Sequence, residues 1–139
     1  MAKTVRNLIN QNQDDDTAIT SDNNQIITFK ALKKQVHDIS GQLAGHGINK
    51  NDRAVIVLPN GPEMATAFLA ISSYMSAAPL NPSYKLSEYE FYLKDLKPKI
   101  VIVEKESTNA VVEAANKLNI EICEIKQIKE EPKGIFNLY

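Results

Sequence analysis

Residues 54–76, which read AVIVLPNGPEMATAFLAISSYMS, decide the fold. Residues 54–58 form a short, continuously apolar and mostly β-branched run, which is typical of a strand covered on both faces. The turn that follows puts Pro62 at the first position of a helix and Glu63 in its first turn, where both residue types are favoured. Residues 64–76 are apolar almost all round, so we expect this helix to be buried between other layers.

The chain downstream repeats this alternation of strand and helix. A short strand is expected at residues 77–80, followed by a helix in which Ser87 and Glu90 have the spacing of a capping box. Pro98 ends that helix, because the residue before a proline is disfavoured in the helical conformation. The apolar residues 100–103 then predict another buried strand.

The C-terminal part of the sequence predicts one more helix and strand. Ser107 or Thr108 begins the helix and Asn119 closes it. Residues 120–125 alternate apolar and charged, which favours a strand nearer a sheet edge. Residues 126–139 contain a charged loop but end on apolar side chains. This ending indicates either a cut through a larger domain or a C-terminal segment that docks on the body.

The N-terminal residues predict a short helix and a hairpin. Residues 3–11 have the composition of a short helix, and the β-prone runs 17–20 and 25–29 are separated by four polar, turn-forming residues. Thr28 is placed to cap a second helix, which Gly45 and Gly47 are expected to stop. The apolar positions of that helix lie on one face: Leu32, Val36, Ile39 and Leu43.

Taken along the chain, these elements predict an α/β fold. Strands alternating with helices indicate a mainly parallel sheet with helices on both faces, here preceded by a short N-terminal helix and a β-hairpin. A chain of 139 residues is long enough for one domain with its own core and too short for two ordinary ones. We therefore expect residues 1–139 to form a single, incomplete α/β domain.

Composition excludes several classes of function. The net charge of −1 provides no electrostatic footprint for nucleic acid, which needs clustered Lys and Arg. The longest apolar-rich run, residues 64–80, is interrupted by serines and a proline and is too short to span a bilayer. The N-terminus lacks the apolar segment of a signal peptide, and the single cysteine suits a reducing compartment. A cytoplasmic protein that binds no nucleic acid and has no transmembrane segment is expected.

No residue stands out as catalytic, cofactor-binding or metal-binding. Asp14, Asp15 and Asp16 are adjacent, and three adjacent side chains do not converge on one ion without a specially shaped loop, so a solvated loop is favoured. His37 and His46 have no catalytic or metal-ligating partner nearby in the sequence, which indicates surface or capping roles.

Phosphate binding and nucleophilic catalysis are similarly disfavoured. The turn at residues 59–63 has one glycine, a proline that removes a backbone donor and a glutamate where an anion would lie. Neither G-x-x-x-x-G-K-[ST] nor G-x-G-x-x-G occurs in the sequence. Cys123 lies in a predicted strand between Glu121 and Glu124, which would raise its pKa, so we interpret it as a buried structural thiol.

Several short motifs follow one another along the chain. They are TFKAL at residues 28–32, GINKNDRAV at 47–55, LPNGPE at 58–63, SYMSAA at 73–78 and PLNPSYKLSE at 79–88. Together they resemble the N-terminal part of AMP-forming acyl-CoA synthetases, the adenylate-forming enzymes, over about residues 28–103. Asn51 replaces a glycine usual in that family, and the 73–78 motif also lacks its glycines.

The resemblance implies the fold and chemistry of that family. Its complete members join a carboxylic acid to AMP from ATP, with Mg²⁺ neutralising the phosphates, and then pass the acyl group to coenzyme A. The phosphate loop and the other reacting groups of the family lie downstream of the motifs present, so no catalytic, cofactor-binding or metal residue is carried over. The segment is expected to be scaffold, binding no cofactor alone and inactive in ATP–pyrophosphate exchange.

Two hypotheses follow from the sequence. In the first, the chain is the N-terminal segment of an acyl-CoA synthetase, and its partner is the remainder of the enzyme or a second copy of itself. In the second, it is a stand-alone, non-catalytic α/β binding or interaction module of the same ancestry. Coding sequence continuing past Tyr139 into a Gly-rich Ser/Thr loop that ends in Lys would favour the first. The identity of the acid is not recorded in these residues.

Overall fold

The computed structural model describes residues 2–139, which form five α-helices and seven β-strands. The helices are α1 (Val5–Asn10), α2 (Phe29–Gly45), α3 (Pro62–Ser72), α4 (Leu86–Leu96) and α5 (Ala110–Lys117). The strands are β1 (Thr17–Thr20), β2 (Ile26–Thr28), β3 (Arg53–Ile56), β4 (Ser76–Pro79), β5 (Ile100–Glu104), β6 (Glu121–Gln127) and β7 (Phe136–Leu138). The predicted α/β order, with its N-terminal helix and hairpin, is confirmed.

The main sheet has five strands in the order β4-β3-β5-β6-β7. Strands β3 to β6 are parallel, and only β7 runs antiparallel to its neighbour β6. Strands β1 and β2 form a separate antiparallel hairpin. Because β4 lies on one side of β3 while β5 and β6 lie on the other, the chain changes direction across the sheet at β3.

Helices cover both faces of this sheet, as the sequence predicts. Side chains alternate along each strand, so Val55 and Val101 face one way while Ile56 and Ile102 face the other. The Ile56 side packs against α1, α2 and α3, and the Val55 side packs against α4 and α5. All four side chains are fully buried, and the protein is a three-layer α/β/α structure.

The two ends of α2 are set by residues that the sequence identifies. The Thr28 hydroxyl accepts a hydrogen bond from the Ala31 N–H at 3.3 Å, which confirms the predicted N-cap. At the other end, Gly45 is still helical, and Gly47 has the left-handed backbone conformation (φ 74°). Ile48 N–H then bonds to the Leu43 carbonyl at 3.0 Å. Gly47 therefore ends the helix, and the stopping role predicted for Gly45 is wrong.

Helix α3 differs from its prediction in length and burial. It ends at Ser72 rather than residue 76, because Ser76 already begins β4. Only one face of the helix is buried, and the outer face leaves Phe68 40% exposed. The expectation of burial on all sides does not hold among the described residues, because no second layer packs on this face.

The N-cap of helix α4 lies two residues before the predicted one. The Glu88 carboxylate accepts a hydrogen bond from the Lys85 N–H at 2.8 Å, so Glu88 takes the position assigned to Glu90. Lys85 itself is the N-cap residue, which makes the Ser87 assignment wrong. The helix ends before Pro98, as predicted, with Lys97 in the left-handed conformation.

Helix α5 also begins later than expected. Its N-cap is Asn109, whose side chain accepts a hydrogen bond from the Val111 N–H at 2.9 Å, and neither Ser107 nor Thr108 caps it. Asn119 follows the last turn with a left-handed backbone (φ 55°), as its predicted closing role requires.

The tail docks on the body of the protein through β7. This strand covers the outer side of β6, so β6 is the strand next to the sheet edge, and the position nearer an edge predicted from its alternating pattern is confirmed. Ile135, Phe136 and Leu138 are buried in the core, whereas Tyr139 is exposed. The docking of the apolar ending on the body, one of the two interpretations given above, is confirmed.

Two glutamines of α2 hold β7 in place. The Gln35 side chain, which is buried, donates a hydrogen bond to the Phe136 carbonyl at 3.0 Å. Two helical turns further along α2, the Gln42 amide oxygen accepts a hydrogen bond from the Leu138 N–H at 2.7 Å. The Gln42 amide nitrogen donates to the Asn137 side chain at 2.9 Å. These side chains satisfy backbone groups of β7 that no neighbouring strand reaches, and so protect the sheet edge.

The loop before β7 is anchored to α3 by a buried hydroxyl. Thr66 Oγ1 lies 2.6 Å from the Gly134 carbonyl oxygen, to which it donates. We expect Thr66→Val to lower the free energy of unfolding by about 1–3 kcal/mol, because the isosteric change leaves that buried carbonyl without a partner. Urea unfolding followed by circular dichroism measures the loss. Ser72→Ala is the matched control, since its hydroxyl bonds only within α3. Equal stability of Thr66→Val and wild type would contradict the anchoring role.

Candidate functional site

The main candidate site is a cleft at the carboxyl ends of β3, β5 and β6. It has a volume of about 450 Å³, and its lining includes Asn60, Glu63, Glu104, Lys105 and Lys126. From β3 the chain moves to β4 on one side, and from β4 it crosses to β5 on the other side of β3, so the direction of strand addition reverses at β3. In open α/β sheets, ligands bind in the crevice beyond the carboxyl ends of strands at such a point. Topology therefore places the cleft where a binding site is expected.

The charges of the cleft are balanced. Glu63 and Glu104 oppose Lys105 and Lys126, and the Lys126 ammonium lies 4.5 Å from the centre of the Tyr139 ring. No single sign of charge therefore focuses on the cleft, as an anion site would require. Among residues 2–139, no group of three or more His, Cys, Asp or Glu side chains could hold a metal ion. The cleft can shape a pocket wall.

The turn between β3 and α3 forms one wall of this cleft. Gly61 is the N-cap of α3, Pro62 occupies its first turn and Glu63 follows. Pro62 has no N–H to donate, and Glu63 carries negative charge at the helix end. The structure thus places residues 59–63, the best phosphate-loop candidate of the sequence, in a strand-to-helix turn.

The PLNPSY turn is held by hydrogen bonds that the sequence does not reveal. The Tyr89 hydroxyl donates to the Asn81 carbonyl at 2.7 Å, and the Asn109 side chain donates to the Pro82 carbonyl at 2.8 Å. Burial raises the pKa of Tyr89 above its usual value. The motif therefore fixes the approach of α4 and α5, and Tyr89 and Asn109 are the residues that sequence reasoning missed. A sequence signal exists only for Tyr89, which shares one helical stripe with Tyr92, Leu93 and Leu96.

Tyr84 of this turn belongs to a small aromatic cluster. Its ring stacks on Tyr92 with centroids 5.3 Å apart, and it meets Tyr89 edge-on at 5.8 Å. Hydrogen bonding with Tyr92 raises the pKa of the Tyr84 hydroxyl. The cluster packs along α4, and none of its three tyrosines lines the cleft.

The residues considered as site candidates from sequence are dispersed. Asp14 forms an ion pair with Lys33 at 2.7 Å, and this partner lowers the pKa of the Asp14 carboxyl. Asp15 and Asp16 are exposed, as a solvated loop requires. His37 is exposed on α2, and His46 is exposed at the C-cap of that helix. The structure brings none of these groups together.

Cys123 lies in the core, 3% exposed, where burial and the nearby Glu121 raise the pKa of its thiol to about 11. Because the folded state holds the protonated form, this contribution to stability is present below the pKa of the unfolded thiol, about 8.5. It is lost as the pH rises toward the folded value.

We expect Cys123 to resist thiol reagents. At pH 8 only about one folded molecule in a thousand carries the thiolate, which is the reacting species. Ellman's reagent should therefore modify the native protein far more slowly than the same protein in guanidinium chloride, which serves as its control. Rapid labelling of the folded protein, at the rate of the unfolded one, would show that the thiol is accessible and ionised.

Within residues 2–139, every helix is too short or too polar to cross a lipid bilayer.

A doubly wound, three-layer α/β fold with a cleft at the carboxyl edge of its sheet is shared by proteins of many functions, and comparison with known proteins narrows the class. The family model described as "AMP-binding enzyme" matches residues 6–135. The chain belongs to the AMP-binding enzyme family, which confirms the resemblance carried by its motifs.

Similar sequences include named CoA ligases. The chain is 36% identical over 98 residues to oxalate–CoA ligase from Arabidopsis thaliana, covering 66% of this chain and 19% of the relative. It is 35% identical to a probable CoA ligase from Humulus lupulus, covering 68% and 18% respectively. The chain thus spans about a fifth of the length of these relatives.

Solved structures confirm the fold. MatB from Rhodopseudomonas palustris superposes with a TM-score of 0.75 at 21% identity, covering 89% of this chain and 25% of that one. The anthranilate CoA ligase AuaEII in complex with anthranoyl-AMP gives a TM-score of 0.75 at 20% identity, covering 86% and 24%. The predicted fold class, part of an adenylate-forming enzyme domain, is confirmed.

Proposed function

We propose that this chain is the N-terminal scaffold of an acid–thiol ligase that works through an acyl-adenylate. In the complete enzyme, a carboxylate attacks the α-phosphate of ATP, which forms acyl-AMP and releases pyrophosphate. The thiol of coenzyme A then attacks the acyl carbon, and AMP leaves. Mg²⁺ neutralises the phosphates when it is bound. The protein acts in the cytoplasm and binds no nucleic acid.

One observation carries the proposal. The family match runs over residues 6–135, almost the whole chain, yet the sequence contains no phosphate-binding glycine loop. The shared part is therefore the sheet and its covering helices. Residues 1–139 supply a folded unit and one wall of a cleft, and they bind neither ATP, Mg²⁺ nor coenzyme A alone.

The outer face of α3 supports a larger assembly. Phe68 is 40% exposed and Leu69 is partly buried, on a helix whose sequence is apolar almost all round. A helix of that kind is stable between two layers, and only one is present among the described residues. The remaining polypeptide of the enzyme is the partner that covers this face.

Oxalate is the first acid to test in the complete enzyme. Two similar proteins, from Arabidopsis thaliana and Saccharomyces cerevisiae, are named oxalate–CoA ligase, with 36% and 32% identity.

A segment exchange tests the proposal. The part of the Arabidopsis oxalate–CoA ligase that aligns with this chain is replaced by the chain itself, and CoA- and ATP-dependent ligation of oxalate is measured. We expect the chimera to keep ligase activity, while the same enzyme with the segment deleted has none. A folded chimera without activity would count against the scaffold role. Reading the transcript past the codon for Tyr139 gives an independent check, with a Ser/Thr/Gly-rich loop ending in Lys as the expected result.

One observation favours the alternative, a stand-alone binding or interaction module. Strand β7 closes one edge of the sheet and is fixed by Gln35 and Gln42, so the described residues already form a unit with its own core. A stop codon directly after Tyr139, together with a folded monomeric product, would favour this alternative over the scaffold.

A further inference from the structure

The outward face of α4 presents an exposed aromatic ring that is already fixed in position. Phe91 is 66% exposed, more than any other large apolar side chain among the described residues. Its ring packs edge-on against Tyr92 with centroids 5.4 Å apart, and Tyr92 in turn stacks on Tyr84 at 5.3 Å. A ring held in this way loses little conformational freedom when a partner covers it, which is typical of an interface anchor.

The polar residues around Phe91 are exposed, and three of them are charged. Glu88 and Lys94 lie three positions before and after it, and Ser87 and Asp95 lie four positions before and after it. Positions three and four apart share one face of a helix, so all five residues form one surface. Neither Glu88 nor Lys94 takes part in an ion pair within residues 2–139, although one Glu88 oxygen accepts the Lys85 N–H.

This surface is complementary to itself in one orientation only. A two-fold axis through Phe91 that sets two copies of α4 antiparallel places Glu88 opposite Lys94 of the second copy, and Ser87 opposite Asp95. Each pair then joins opposite charges or a hydroxyl donor with a carboxylate acceptor. A parallel arrangement would instead set Glu88 against Glu88 and Lys94 against Lys94, which is unfavourable. The charge pattern therefore selects an isologous, antiparallel contact.

We infer that α4 is a self-association surface, on which two copies of this chain pack their α4 helices antiparallel around Phe91. The partner is a second copy of the chain. One helix of 11 residues from each copy forms a small contact, and interfaces that bury less than about 1,200 Å² in total are weak and transient. The dimer is therefore expected to form only at high protein concentration.

Charge reversal in two separate variants tests this inference with the full 139-residue chain. Sedimentation equilibrium of the wild type, from about 10 μM to about 1 mM, should show concentration-dependent dimers. Lys94→Glu and Glu88→Lys alone should each remain monomeric, because like charges then meet at both ends of the contact. An equimolar mixture of the two variants should associate again, because every Glu then faces a Lys of the other variant. Loss of the Glu88 cap does not explain restored association in the mixture.

Two further variants separate the α4 surface from general stickiness. Phe91→Ser should abolish association while circular dichroism shows unchanged helix content, since the ring is mostly exposed. Leu8→Ser removes a similarly exposed apolar side chain from α1, on the other face of the sheet, and should leave association unchanged. A wild type that stays monomeric to the highest concentration, a mixture that fails to associate, or a Leu8→Ser variant that loses association equally would overturn the inference.

Discussion

Replacing Phe136 with alanine is expected to lower the free energy of unfolding by about 3–5 kcal/mol, which is the usual cost of removing a buried phenylalanine. Phe136 is 1% exposed and belongs to the core between the sheet and α2. Its backbone carbonyl accepts a hydrogen bond from the buried Gln35 side chain, so loss of the ring also loosens the strand that satisfies this amide. Chemical unfolding followed by circular dichroism measures the effect.

Tyr139 provides the control for that experiment. It is three residues further along the chain and 62% exposed, so Tyr139→Ala should change stability by less than about 0.5 kcal/mol. A small effect of Phe136→Ala, comparable with that of Tyr139→Ala, would mean that β7 is not part of the folded core. The docking of the tail would then be wrong.

Gly134→Ala is expected to destabilise the protein by about 2–4 kcal/mol, the combined cost of a left-handed side-chain residue and of overpacking. Gly134 has a φ of 103°, and a Cβ added there would lie 3.0 Å from the Pro62 carbonyl oxygen and 3.0 Å from Ile27 Cδ1. The Ile27 side chain can move. Pro62 is the first residue of α3, so its backbone oxygen cannot move without shifting the helix.

Gly41→Ala is the matched control, because the same chemical change should have the opposite sign. Gly41 lies inside α2, and nothing comes within 4 Å of an added Cβ. Alanine in a helix interior is favoured over glycine by about 0.5–1 kcal/mol. Gly41→Ala should therefore raise the denaturation midpoint while Gly134→Ala lowers it. A Gly134→Ala variant as stable as wild type would show that the loop does not pack on α3 as described.

Local patterns in the sequence predict most of the individual elements. Apolar β-branched runs identify β3 and β5 because both strands are buried on two faces, and Thr28 caps α2 through a bond three residues away. The start of α4 is missed because Ser87 is the better capping residue by type, whereas the backbone of Lys85 meets Glu88. Local propensity does not decide between such neighbouring starts.

The tail and the cleft depend on contacts between distant parts of the chain. Gln35 and the Phe136 carbonyl are 101 residues apart, so neither residue predicts the other from sequence. The cleft exists because β3 lies between β4 and β5, and the alternation of strands and helices does not specify that order. The Tyr89–Asn81 bond is likewise visible only once α4 has packed on the sheet.

The family motifs make framework contacts in the structure. The motifs at residues 47–55 and 79–88 build turns and helix starts, with Asn81 accepting the Tyr89 hydroxyl and Asp52 accepting the Asn49 N–H. These contacts stabilise the framework. Membership of the AMP-binding family and the lack of a candidate catalytic residue are therefore compatible.

ATP–pyrophosphate exchange by the purified 139-residue chain is the most direct measurement of whether it is framework without a reaction centre. Labelled pyrophosphate is supplied with ATP, Mg²⁺ and, in separate reactions, oxalate, a fatty acid or an aromatic acid, with a full-length CoA ligase as the positive control. We predict no incorporation of label into ATP above the protein-free blank for any acid. Acid-dependent incorporation that co-purifies with the chain would contradict the account.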